Sequence, residues 1–213
     1  MISIFVVLIL SYLAGSIPTS IIVSKLFRGI DIRDHGSRNA GATNAIRVLG
    51  WKLGSIVMIV DVGKGVLATL LISQIRIDEV AMSPHLIQII AGVASIFGHI
   101  WTIFAGFKGG KGVGTAAGML FALYPVAGLI CLGIFLIVLF TVRMVSVSSM
   151  SAAISLPLVL LIMQKWFNYT TSSELLYFAI FIALLIVFTH RSNIQRILQG
   201  KENKVPLGKK TTQ

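Results

Sequence analysis

Residues 112–164, GVGTAAGMLFALYPVAGLICLGIFLIVLFTVRMVSVSSMSAAISLPLVLLIMQ, contain one charged side chain, Arg143. A bilayer core of about 30 Å takes roughly 20 apolar helical residues, so this run is too long for one crossing. Pro125 and Arg143 divide it into 112–123, 126–142 and 144–164. At about 1.5 Å per residue, 112–123 reaches only about 18 Å. It reads as a broken helix whose Gly-rich start dips into the membrane, which irregular backbone does only where it lines a cavity.

Working outward, residues 2–24 carry no charge, 53–74 carry only Asp61 and Lys64, 82–105 carry none, and 174–190 carry Glu174 alone. No basic segment precedes the first apolar run, so it is expected to be a retained helix and not a cleaved signal peptide. Of 213 residues, 56% are hydrophobic and only 12% charged, against about 45–50% and 25% in soluble domains. A soluble enzyme is excluded. The 18 Lys and Arg against 7 Asp and Glu leave a net charge of +11, which in so apolar a chain belongs to loops. No basic run lies on a soluble-looking segment before the last twenty or so residues, so no nucleic-acid partner is expected.

The positive-inside rule orders the spans. With the N-terminus outside and seven passes, the inner face collects Lys25, Arg28, Arg33, Arg38, Arg47, Lys52, Lys108, Lys111, Arg143, Arg191, Arg196, Lys201, Lys204, Lys209 and Lys210, leaving Arg76 and Lys165 outside. Six passes would strand either the tail or the basic 25–52 loop. The expectation is an all-α polytopic bundle of seven transmembrane helices with one short, broken member near 112–123. It forms a single domain over 1–200, followed by a basic cytoplasmic tail, 201–213; from Gly200 onward the chain is expected to be mobile.

Three inner segments carry unusual chemistry. Residues 31–47, DIRDHGSRNAGATNAIR, mix small residues with amides, a hydroxyl and guanidinium forks, a composition suited to an oxyanion such as phosphate. Phe107-Lys-Gly-Gly-Lys-Gly-Val113 offers close backbone approach and two lysines. It lacks the Walker A spacing, so nucleotide hydrolysis is unsupported. Residues 190–202, HRSNIQRILQGKE, begin where the last span leaves the membrane, with His190 and Asn193 on one helix face. A solvated loop, a hinge and an interfacial helix end are the plain alternatives for the three.

Asp61 and Lys64, at i and i+3 inside a span, are as readily a neutralising pair as a substrate contact. His99 is placed to orient the Gly-Lys loop, and His85 is given no role. The sequence holds no HExxH, no GxSxG, no Cys/His cluster at metal spacing and no His followed five residues on by Asp.

Taken in order, Ala14-Gly-Ser-Ile-Pro18, Gly36-Ser-Arg-Asn-Ala-Gly-Ala-Thr-Asn44, Asp61-x-x-Lys-Gly65, Phe107-Lys-Gly-Gly-Lys-Gly112 and His190-Arg-x-Asn193 closely resemble the bacterial acyl-phosphate-dependent glycerol-3-phosphate 1-acyltransferases, the PlsY family. The resemblance implies a seven-helix inner-membrane enzyme with its site on the cytoplasmic side. It implies transfer of a fatty acyl group from acyl phosphate to the 1-hydroxyl of glycerol 3-phosphate, giving lysophosphatidic acid for phospholipid synthesis, without cofactor or metal. Membrane lipids and the soluble enzyme that makes acyl phosphate are the further partners implied.

Carried over by position, the catalytic residues are Ser37, Arg47, Lys111, His190 and Asn193. The substrate-binding residues are Gly36, Asn39, Thr43, Asn44, Lys108, Gly109, Gly110, Gly112 and Ser149. Two positions depart from the family's usual pattern: Arg38 stands in place of Gly, and Thr102 in place of Pro. A membrane transporter of an organic phosphate is the alternative function, since it too would use basic inner loops.

Overall fold

The computed structural model describes residues 1–167 and 173–205. In chain order the helices are α1 (Ile2–Ser16), α2 (Thr19–Arg28), α3 (Ala42–Leu49), α4 (Trp51–Leu70), α5 (Pro84–Ile100), α6 (Val113–Leu123), α7 (Pro125–Val142), α8 (Val145–Phe167), α9 (Ser173–Thr189) and α10 (Arg191–Leu198). The chain divides into two units, Met1–Pro125 and Val126–Gln213.

Five helical segments are long and apolar enough to cross a membrane: Ile2–Arg28, Trp51–Gln74, Pro84–Ala105, Pro125–Val142 and Val145–Phe167. The pair α9 and α10, bent by 57°, makes a sixth if it counts as one span. The short, broken member expected at 112–123 is the 11-residue α6, about 16 Å long at 1.5 Å per residue. Gly112, left-handed at φ 83, starts it late, and Pro125 opens the next helix directly after Tyr124. Among the described residues the seven expected crossings therefore become five or six long spans and one short apolar helix.

The first span also differs from a plain helix over 2–24. Proline has no N–H to continue the ladder, and the helix breaks at Ile17-Pro18 before resuming as α2. The break exposes carbonyls: Ile17 O accepts from Lys64 Nζ at 2.6 Å, and Ser16 O accepts from the Thr102 hydroxyl. The second bond gives Thr102 a task that proline has no donor for.

In the first unit α1 lies antiparallel to α5. A Cβ at Gly15 would strike the Ser95 carbonyl, and one at Gly98 the Tyr12 carbonyl. Small residues let membrane helices approach this closely. Gly65 and Gly118 do the same between α4 and α6. At one end of the unit the Met1 amino group and the Ser3 hydroxyl meet Asp78. At the other, Tyr12 Oη donates to Trp101 O at 2.6 Å and Arg33 to Ala105 O at 2.9 Å, so loops 29–41 and 101–112 share that end. Ile21, Ile32, Ala45, Leu49 and Val57 form the buried core that seats the 31–41 loop on α2, α3 and α4.

In the second unit α7 has mean hydropathy 2.7 with only 17% of its residues buried, the profile of a helix that faces lipid. α8 packs on α9. The tail expected to be free from Gly200 is held over 201–205: Val205 N–H donates to Arg143 O at 2.7 Å, and Arg143 Nε donates to Val205 O at 3.2 Å. Residues 206–213, with Lys209 and Lys210, lie outside the described residues.

Candidate active site

The 31–41 loop is organised from inside by Asn44 on α3. Its Oδ1 accepts from Ser37 N–H at 2.8 Å, and its Nδ2 donates to Ile32 O at 3.1 Å and His35 O at 3.0 Å. The residue is 1% exposed, and a buried amide so fully paired is rigid. Gly36 is left-handed at φ 60, and a Cβ there would strike Asn44 Oδ1. Asp31 caps the 3-10 turn at Ile32–Asp34 by accepting from Arg33 N–H. It also takes both prongs of the Arg33 side chain, Nε at 3.0 Å and a terminal nitrogen at 2.7 Å. The Arg33 guanidinium holds the Asp31 carboxyl down at about 2, against partial burial that pushes it up. Arg33 is thus neutralised where it stands.

The Gly-rich loop folds back on the end of α5. Gly109 N–H donates to Ile100 O at 3.1 Å and Gly110 N–H to His99 O at 3.0 Å. Any Cβ at Gly109 would collide with the His99 carbonyl, and one at Gly110 with His99 Nε2. Beneath the loop, Lys64 Nζ pairs with Asp61 Oδ1 at 2.7 Å, and His99 Nδ1 lies 3.6 Å from the same oxygen. A pocket of about 10 Å³, room for a single water, is lined by these three side chains, Thr102 and the backbone of Gly109 and Gly110. The Asp61–Lys64 expectation resolves as a buried ion pair, and His99 is placed against the loop it was expected to orient.

Outside that pocket a cavity of about 460 Å³ opens between the two loops, lined by Asp31, Arg33, Asp34, Arg38, Lys108 and Gly109. That volume falls within the usual range of small-molecule sites.

The second unit holds a polar cluster of its own residues. Glu202, its side chain 4% exposed, takes Ser146 Oγ at 2.8 Å and Asn193 Nδ2 at 2.6 Å on one oxygen, and Arg196 Nε at 2.8 Å on the other. Burial pushes its carboxyl up, but these donors and the Arg196 charge outweigh it and leave the group more acidic than usual. His190, 3% exposed, sets Nδ1 2.8 Å from Ile186 O. A carbonyl only accepts, so Nδ1 carries the proton and a neutral ring keeps its lone pair on Nε2.

The glycerol-3-phosphate acyltransferase family model matches residues 5–200. A glycerol-3-phosphate acyltransferase of Chlorobium phaeobacteroides (strain BS1) is 46% identical over 96% of this chain and 97% of its own length. That of Pelodictyon phaeoclathratiforme is 42% identical over 99% and 100%. The crystal structure of PlsY, an integral membrane glycerol 3-phosphate acyltransferase, in its glycerol 3-phosphate form superimposes with a TM-score of 0.84 at 37% identity, covering 96% of each chain.

The chain belongs to the glycerol-3-phosphate acyltransferase family. It is an integral membrane acyltransferase of the PlsY type.

Of the residues that the family resemblance assigns, Lys108 and Gly109 line the large cavity, and Gly110 backs the small one. Ser37 and Asn39 flank Arg38 on the clamped loop. Thr43 and Arg47 share an exposed face of α3, four residues apart. Lys111 is partly buried beside Gly112, and none of these five side chains lines the cavity. Asn44, assigned to substrate binding, holds the loop. His190, Asn193 and Ser149 are buried in the second unit. Asp31, Arg33 and Asp34 lie in the 31–47 segment read as suited to an oxyanion but were given no individual role; Asp-x-Arg spacing was the available signal. Glu202 closes the third of the singled-out segments, but its role was not readable there, since its partners Ser146 and Asn193 lie on other elements.

Proposed function

We propose that this family member transfers a fatty acyl group from acyl phosphate to the 1-hydroxyl of glycerol 3-phosphate, releasing lysophosphatidic acid and phosphate. The observation that carries the reading is the cavity in which Arg33, Arg38, Lys108 and Gly109 gather beside a glycine loop. This is a setting for a phosphate-bearing headgroup in a chain that is 56% hydrophobic and only 12% charged. The names of its relatives agree: the solved PlsY structures are of glycerol 3-phosphate and lysophosphatidic acid forms.

An acyl phosphate is a mixed anhydride, already activated, so the protein need supply neither nucleophile nor nucleoside triphosphate. The glycerol oxygen attacks the acyl carbon, the bond from that carbon to the phosphate oxygen breaks, and its electron pair leaves with phosphate. The work left to the protein is to hold two anionic substrates together and to stabilise charge on the carbonyl oxygen and departing phosphate. Arg47, Lys111 and the Gly109–Gly112 backbone are assigned that task, with Ser37 and Asn193 as orienting donors. Asn39, Thr43, Lys108 and Ser149 are assigned to substrate binding. The hydroxyl proton goes to the imidazole of His190 or to a substrate phosphate oxygen.

By the positive-inside rule the basic loops support a site on the cytoplasmic side of the inner membrane, where a soluble producer of acyl phosphate would reach it. Purified protein in detergent, given acyl phosphate and labelled glycerol 3-phosphate without acyl-CoA or acyl carrier protein, should form lysophosphatidic acid. Absence of product under those conditions sinks the reading. The His190→Ala variant separates the two bases: activity within a few-fold of wild type across pH assigns the proton to the substrate phosphate.

A further inference from the structure

Arg38 has a left-handed backbone, φ 59, a conformation that side chains with a Cβ avoid. The turn imposes it. Arg38 N–H donates to His35 O at 3.0 Å, Gly36 is itself left-handed, and Asn44 clamps Ser37 N–H and His35 O. Residue 38 therefore inherits its φ, and glycine would fit without strain. Strain of this kind persists where the side chain is in use.

The use is legible in the charges around the cavity. Arg33, Arg38 and Lys108 line it together with Asp31 and Asp34. Three cations against two carboxylates leave one net positive charge, and without Arg38 the charges cancel. Arg33 is already spent on Asp31 and Ala105 O. Arg38 and Lys108 are exposed, and neither side chain has a hydrogen-bond or ion-pair partner among the described residues.

We propose that Arg38 is an anion-binding, specificity-determining residue of this chain. With Lys108 it grips the phosphate of the phosphomonoester acceptor and sets the sign of the cavity's charge. Lys108 was already expected to bind substrate; Arg38 is the addition. The proposal rests on the acyl-transfer reading for its substrate, but not for its charge chemistry.

The test uses the full chain in detergent with Arg38→Gly, Arg38→Gln and Arg38→Lys. Loss of one charge-assisted contact is expected to raise KM for glycerol 3-phosphate about tenfold in R38G and R38Q, the loss falling on KM more than on kcat. R38K should recover most of it. Without ligand, R38G should melt higher than wild type and R38Q should not, because only glycine relieves the left-handed strain. Inorganic phosphate and glycerol 3-phosphate should raise the melting temperature of wild type and R38K, and do so less for R38G and R38Q. Equal KM values and equal ligand-induced shifts in all four proteins overturn the proposal. If wild type makes no lysophosphatidic acid but R38Q still loses the phosphate-induced shift, the acyl-transfer reading fails and the role of Arg38 stands.

Discussion

Asn193 Nδ2 donates to Glu202 Oε1 at 2.6 Å, and that same oxygen takes the hydroxyl of Ser146. A carboxylate from beyond α10 thus ties α10 to the start of α8 and fixes which way the Asn193 amide faces.

Replacing Glu202 with Gln keeps the shape but cannot accept from all three donors. The charged bonds it loses are worth about 1.5–3 kcal/mol each, so E202Q should melt well below wild type. Its pH dependence has a defined sign. The native carboxyl is more acidic than its ordinary 4.5, so its stabilisation is complete above that value and fades as pH falls through the lower native one. Melting curves below pH 4.5 should therefore decline more steeply in wild type than in E202Q; parallel curves would count against the latch.

Asp61 and Lys64 are each 4% exposed in their side chains. Asp61→Asn strands a buried ammonium, which costs about 3–5 kcal/mol, whereas the double change Asp61→Asn with Lys64→Met removes the stranded charge. Thermal stability should collapse in the single variant and return substantially in the double. If the two melt alike, the pair is not what holds α4 to the Ile17 carbonyl.

Gly109→Ala and Gly110→Ala place a methyl group on His99, at its carbonyl and its ring respectively. Either must push the loop off α5. Since misplacement by about 1 Å is enough for large losses, KM for glycerol 3-phosphate should rise on the order of tenfold or more. Gly133, where a Cβ meets nothing within 4 Å, is the control: its Ala variant should leave kinetics unchanged.

Asn44→Ala leaves Ser37 N–H and the Ile32 and His35 carbonyls without their partner. At about 1–3 kcal/mol for a buried polar group left unpaired, the loop should loosen. Hydrogen exchange at 35–38 reads this directly, with faster exchange expected in the variant and unchanged exchange in α7.

Each apolar stretch named from the sequence is helical over most of its length, because a bilayer leaves backbone few other ways to pair its polar groups. Crossing number was less legible. Hydropathy counts residues, but α6 is cut short by Gly112 and Pro125, and the break at Ile17-Pro18 is a backbone event inside a uniformly apolar run. The Gly-Lys loop was readable because it combines glycine with charge. Asn44 was readable as polar, yet its task inside the loop depended on three backbone groups at 32, 35 and 37 folding around it.

Local composition and motif order were sufficient for the membrane and the family, since hydropathy and motif order are properties of the chain itself. The tertiary structure decided which of the chain's charges remain available. Arg33 and Lys64 are neutralised by Asp31 and Asp61, Glu202 is committed to Ser146, Asn193 and Arg196, and Arg38 and Lys108 stay open on the cavity. A charge's worth depends on what lies within a few ångströms of it, and only folding sets those distances.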